Sequence, residues 1–272
     1  MIEDLIAHYQ EQPGEVTIET QAVCNARCTF CPYPTLARAG TKMPDALLYR
    51  LIDEMAAFEK PFYFSPFKLS DPFLDKRLIP LLRTFNEKAP HGLIRLFTNG
   101  SALTDANVAG VAGLRQVAHL WVSLNTHRSL EYEALMGLDF EHTARNLDRL
   151  HKRDFPHEVV ISRVGDDPDF VKYVQWRWPK FQPAIIKRDA WIDFTDAENP
   201  EIPDAPCGRW WELNIAATGV AALCCMDSEA QYGFGDVNTQ TLLEIYNHPT
   251  LRAWREGVSR KTVGSPCERC SY

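Results

Sequence analysis

Val16-Thr17-Ile18-Glu19-Thr20-Gln21-Ala22-Val23 runs directly into Cys24-Asn25-Ala26-Arg27-Cys28-Thr29-Phe30-Cys31. Residues 16–23 read as a first strand, which delivers a loop of three cysteines at its C-terminal end. The spacing is C-x3-C-x2-C. Three thiolates this close in sequence can hold three irons of a [4Fe–4S] cluster, leaving the fourth iron open to a substrate or cosubstrate. An electron-transfer cluster takes four cysteines, so a local set of three points to chemistry at the open iron. The plainer alternative is a zinc site, or a disulfide with one spare thiol, although zinc knuckles favour paired C-x2-C spacing.

Outward from this loop, short apolar runs alternate with helical patterns, the signature of successive βα units and a parallel sheet. Helices are predicted at 45–58, 74–88, 104–113, 140–153 and 167–178, and strands at 62–69, 93–100, 119–125, 158–164 and 183–189. Six such units suggest an incomplete (β/α)6 barrel, and in barrels the active site lies at the C-terminal ends of the strands. The cysteine loop is on that face.

The remaining composition is that of an ordinary globular protein, with 272 residues, 45% hydrophobic and 24% charged. The net charge of −7 does not indicate a nucleic-acid partner. No apolar run approaches the ~20 residues that span a bilayer. The acidic, amphipathic N-terminus is unlike a signal peptide, so a reducing cytoplasm is expected, where eight cysteines indicate metal ligation more than disulfides.

The character changes near residue 195. Thr195 to Pro206 is acidic and proline-containing, a linker pattern, which divides the chain into residues 1–194 and 195–272. Beyond it, residues 211–225 read as a hairpin turning at Thr218-Gly219, and 242–247 and 251–258 as short helices. Five cysteines follow residue 206: Cys207, Cys224, Cys225, Cys267 and Cys270. The terminal C-x2-C suggests two ligands on one metal, and Cys207 with one of the adjacent pair completes a four-thiolate set. A structural zinc site and an iron–sulfur cluster both satisfy that spacing. Adjacent residues of a strand point to opposite faces, so only one of Cys224 and Cys225 is expected to face the metal. Trp210 and Trp211 are expected in core or interdomain packing.

The run Cys24 to Cys31 resembles the cluster motif of the radical S-adenosylmethionine (radical SAM) enzymes, with Phe30 in the aromatic place. The resemblance implies that the open iron chelates S-adenosylmethionine. One electron then cleaves it to methionine and a 5′-deoxyadenosyl radical, which abstracts a hydrogen atom from carbon. It also implies a TIM-type partial barrel. Cys207, Gly219-x4-Cys224, the residues Gly235-Asp236-Val237-Asn238 and Cys267-x2-Cys270 are similar to the C-terminal SPASM and twitch extensions of that family. The number of cysteines fits the shorter, α+β twitch form with one auxiliary [4Fe–4S] cluster, as in 2-deoxy-scyllo-inosamine dehydrogenase-like enzymes. That match selects Cys224 over Cys225, leaving Cys225 as a small hydrophobe.

The same resemblance implies a cosubstrate pocket. Leu69-Ser70-Asp71-Pro72 stands where the family has Gly-Gly-Glu-Pro, with Ser70 and Asp71 as contacts and both glycines missing. Asn99 lies in a Thr-Asn-Gly turn. Ser123 and Asn125 match positions that bind ribose or carboxylate, and Arg163 is expected to pair with the methionine carboxylate. Against these stand turn-forming and strand-end capping roles. Arg188, with Lys187, Asp189, Trp191 and Asp193, follows the sixth strand, and the resemblance gives Arg188 a role in orienting or deprotonating a substrate hydroxyl. A solvated surface is the other reading of these charges.

The expected reaction is oxidation of a small polar metabolite, such as an aminocyclitol, sugar or nucleotide-like compound. The auxiliary cluster would be the electron acceptor, and a flavodoxin or ferredoxin the reducing partner. Maturation of a ribosomal peptide is the alternative. With 15 residues ahead of Val16, a separate protein would then supply leader binding. A redox-neutral epimerisation or rearrangement, and a non-enzymatic zinc or iron–sulfur protein that leaves S-adenosylmethionine intact, complete the set.

Overall fold

The computed structural model describes residues 2–188, 191, 192, 194 and 204–270. Asp189, Asp193 and most of the linker lie outside the described residues. Helix α1 (Ile2–Tyr9) leads into β1 (Glu15–Ile18). Next come α2 (Asp45–Ala56), β2 (Phe62–Ser65), α3 (Leu78–Lys88), β3 (Gly92–Thr98), α4 (Asp105–Ala112) and β4 (Val117–Ser123). Two helices, α5 (Ser129–Met136) and α6 (Phe140–Lys152), then precede β5 (Val159–Val164), α7 (Pro168–Arg177) and β6 (Gln182–Ile186). The C-terminal part adds β7 (Glu212–Ile215), β8 (Ala221–Ala222), α8 (Leu242–Tyr246) and α9 (Pro249–Arg255). No described helix is long and apolar enough to cross a membrane.

All strands join one sheet in the order β6-β5-β4-β3-β2-β1-β7-β8, parallel throughout except for the β7–β8 hairpin. This is the expected partial barrel. β7, which follows the linker region, pairs in parallel with β1, Glu15 opposite Glu212 through Ile18 opposite Ile215. The sheet therefore runs unbroken from the barrel into the C-terminal region.

Alternation along each strand separates its faces. Val16, Ile18, Phe64, Leu96, Val122 and Ile161 belong to the core under the helices. The alternating residues Glu15, Tyr63, Arg95, His119 and Trp121 are half-buried on the other, concave face. Near the N-terminal ends of the strands this face is charged. Arg95 bonds Glu15 at 2.7 Å and lies 3.6 Å over the Tyr63 ring, while Arg209 bonds Glu212 at 2.7 Å. Burial pushes the Glu212 carboxyl up to about 7. Further in, Trp121 Nε1 donates to Ser162 Oγ at 2.7 Å. The buried Asn214 amide has no partner among the described residues.

Three expectations differ from the structure. The first strand ends at Ile18 because Ala22 bonds Thr41 and Gly40 bonds Ala22, which takes residues 20–23 out of the sheet. Helix α5 was not expected. Cys224 and Cys225 lie past β8 in a turn, so strand alternation does not separate them. The hairpin itself forms, turning at Gly219 with φ +94°. A Cβ there would come within 2.3 Å of the Asn238 amide, so both backbone and space require glycine.

Candidate active site

The cysteine loop is fixed by the helix that sequence reasoning missed. The last carbonyls of a helix have no partner within it. At the end of α5, Met136 O accepts from Arg27 N at 2.8 Å and Leu135 O from Thr29 N at 3.1 Å. Gly137, at φ +67°, ends the helix and lets it pass the loop. Cys31 N donates to Cys28 O at 3.1 Å, and Cys28 Sγ lies 3.4 Å from Met136 Sδ. Asn99 approaches from the end of β3. Its amide nitrogen is 3.9 Å from Cys24 Sγ and 2.9 Å from Asn25 Oδ1. Phe30 packs against the main core.

Cys31 lies near enough to raise the pKa of both Cys24 and Cys28. Burial pushes Cys24 and Cys28 up to about 12, with Asp71 and then Cys31 adding to the rise at Cys24, and Cys31 and then Cys24 at Cys28. Three thiols on one short loop are a donor set that fits an iron centre. Among the described residues, no three His, Cys, Asp or Glu side chains converge as ligands of a single ion. A cubane cluster, which places one thiolate on each iron, requires no such convergence.

The expected cosubstrate residues divide into two groups. Asp71 is buried and accepts from Phe73 N at 3.0 Å, Thr98 Oγ1 at 2.8 Å and Asn99 N at 2.9 Å. Its N–H donates to Val23 O at 3.0 Å. This residue ties β2, β3 and the cysteine loop together. Asn125, at φ +65°, accepts from Val164 N at 3.1 Å and donates toward Met136 Sδ at 3.1 Å. Asn99, Ser123 and Asn125 thus stand at the C-terminal ends of β3 and β4, and Ser70 in the segment that follows β2. Arg163 is different. Its guanidinium bonds Asp167 at 2.9 Å and the Gly165 carbonyl at 2.9 Å, an anion partner on its own loop. Arg188 and Lys187 are exposed just past β6.

The second cysteine set closes on one cavity. Cys207, Cys224, Cys267 and Cys270 line it with Trp210 and Leu223, and Cys225 is not in its wall. Cys207 precedes a single 3-10 turn, and Cys270 N bonds Cys267 O at 3.2 Å, folding the terminal pair over the cavity. Burial pushes Cys267 up to about 11 and Cys224 well above the ordinary thiol value, and four thiols lining one cavity are a donor set that fits a metal centre. Asp227 organises the Cys224 turn. Its carboxylate accepts from Leu223 N, Gln231 N and Tyr232 N at 2.9–3.1 Å. Trp210 and Trp211 are buried beside the cysteines, with Leu5, Ile6 and Tyr9 of α1 packed against the cluster.

Buried charges link the two cysteine regions. Glu19, fully buried past the end of β1, accepts from Arg38 Nε at 2.7 Å, Arg38 NH2 at 3.1 Å, Leu69 N at 3.1 Å and Ala217 N at 3.0 Å. Arg38 also donates to the Ser228 carbonyl. Lys68 Nζ donates to Cys225 O at 3.0 Å and Asp227 O at 2.7 Å. Glu19→Ala removes the carboxylate that accepts two of Arg38's hydrogen bonds and leaves it, among the described residues, only Glu229, 3.6 Å away; removing one partner of a buried pair costs about 3–5 kcal/mol. Chemical denaturation is expected to show that loss. A change below ~1 kcal/mol, the range of an exposed pair, would contradict it.

The three-cysteine loop and the C-terminal cysteines fall within two family matches. A profile of the radical SAM superfamily matches residues 18–170, more than half of the chain. The chain belongs to the radical SAM superfamily. An iron–sulfur cluster-binding SPASM domain matches residues 207–271. A radical SAM domain binds a [4Fe–4S] cluster and S-adenosylmethionine, and a SPASM domain binds further iron–sulfur clusters. A search of curated proteins found no match. Among solved structures, the radical SAM chain is similar to BtrN in complex with AdoMet and 2-DOIA, at 14% identity and TM-score 0.58, covering 89% of this chain and 85% of that one. It is similar to Streptococcus suis SuiB bound to precursor peptide SuiA, at 14% identity and TM-score 0.70, covering 96% and 70%. It is also similar to anSMEcpe with bound AdoMet, at 14% identity and TM-score 0.69, covering 89% and 82%. At these identities the likeness is one of fold.

Glu19, Arg38, Lys68 and Asp227 were missed by sequence reasoning. Of these, only Asp227 carried a signal, as an Asp close behind a cysteine pair in a turn.

Proposed function

We propose that this protein is a radical SAM oxidoreductase that dehydrogenates a small polar metabolite. Cys24, Cys28 and Cys31 would hold the catalytic cluster, and Cys207, Cys224, Cys267 and Cys270 the auxiliary one. When bound, the first cluster supplies the electron that cleaves S-adenosylmethionine, and the second takes up the electron that a substrate radical gives up as it loses a proton. The observation that carries this reading is the convergence of four cysteines on one cavity. A cluster with a thiolate on every iron has no position for substrate, and its chemistry is electron transfer.

The chain's own residues shape the rest. Asn99, Ser123 and Asn125 would meet the cosubstrate beside the cysteine loop. A cavity of about 220 Å³ lies between the segment after Cys31 and the segment after Cys225, with Thr35, Ser228, Glu229 and Gln231 on its polar side and Leu36 and Ile192 on its apolar side. It is smaller than the several hundred cubic ångströms of drug-sized sites and suits a compact polar ligand. Arg188 would orient a substrate hydroxyl from the end of β6.

A panel of aminocyclitols, amino sugars, nucleosides and short peptides tests this, with reduced protein and S-adenosylmethionine. The expected product is a small molecule lighter by two hydrogens, formed with one 5′-deoxyadenosine each and no added oxidant. A product of unchanged mass, or turnover confined to peptides, would contradict it.

A further inference from the structure

Lys68 is 6% exposed, and both of its hydrogen-bond acceptors are main-chain carbonyls, those of Cys225 and Asp227. A buried ammonium is costly unless an anion offsets it. The nearby carboxylate, Glu19, is already engaged by two nitrogens of Arg38 and two backbone N–H groups. Burial depresses the pKa of the Lys68 ammonium and Arg38 adds to that, while Cys225 and Cys224, beside the carbonyls it bonds, favour its charge. Of these, Cys224 lines the four-cysteine cavity.

We propose that Lys68 is the built-in counter-ion of the auxiliary cluster. This rests on the reading that Cys207, Cys224, Cys267 and Cys270 hold that cluster. Four thiolates on a cubane give a net anion, and reduction adds one more negative charge. A cation buried in a low-dielectric setting beside it stabilises the reduced form more than the oxidised form. Net charge and local hydrogen bonding are among the determinants of cluster potentials. Lys68 thus holds the potential high enough for the cluster to accept an electron. It is a positioning residue, touching neither substrate nor reacting atoms. Its chain neighbour Leu69 opens the Leu69-Ser70-Asp71-Pro72 segment on the cosubstrate side, so the same strand end serves both sites.

The test is a potentiometric titration of the full-length protein with both clusters loaded, followed by electron paramagnetic resonance without substrate. The auxiliary signal is the one S-adenosylmethionine leaves unaltered. Lys68→Met is expected to shift its midpoint to more negative potential with iron content retained, and Lys68→Arg to restore it. An unmoved midpoint in Lys68→Met overturns the proposal. If Lys68→Met does not retain the cluster, Lys68→Gln is titrated by the same criterion. Loss of the cluster in both neutral variants but not in Lys68→Arg supports the counter-ion role, and loss in all three overturns it. Absence of a second iron signal in the unmodified protein would instead refute the auxiliary-cluster reading.

Discussion

Reduced protein carrying Cys28→Ala is expected to form no 5′-deoxyadenosine from S-adenosylmethionine, whereas the unmodified protein forms it slowly even without substrate. Cys28 is the central member of the three-cysteine set, held against Met136 at the end of α5. The variant removes one thiolate from a centre with three, so the open iron loses its geometry. Outer-shell changes at metal sites cost roughly 10–100-fold, and losing a ligand itself exceeds that. The measurement is chromatography of 5′-deoxyadenosine under strong reduction. Turnover within tenfold of the unmodified protein would contradict the assignment.

Cys224→Ala and Cys225→Ala are expected to part sharply, although the residues are neighbours. Cys224 lines the cavity with Cys207, Cys267 and Cys270, and Cys225 does not. Cys224→Ala should lose the second cluster and, because metal binding and folding are coupled, loosen the C-terminal region. Cys225→Ala should keep its full iron content. The reverse pattern of iron loss would move the ligand to Cys225 and leave the site itself in place.

Much of the fold was legible because short apolar runs alternate with helical patterns, and because β4 alternates between core face and concave face over His119, Leu120, Trp121, Val122 and Ser123. Both cysteine sets announced themselves by spacing. Helix α5 did not, since only Tyr132 and Met136 of its residues are buried, too few to give a periodic apolar stripe. Arg163 also meets an anion on its own chain, Asp167 four residues on, a pairing that becomes visible only where the loop brings the two together. Glu19, Arg38 and Lys68 share no spacing at all. Only the approach of the C-terminal turn to the end of β1 makes them one network, and no local pattern encodes that.

Anaerobic quantification of iron, sulfide and zinc tests the central claim most directly. About eight irons and eight sulfides per chain are expected from two cubane clusters, with about half remaining after Cys24, Cys28 and Cys31 are all replaced by Ala. Four irons with one stoichiometric zinc at Cys207, Cys224, Cys267 and Cys270 would contradict the account.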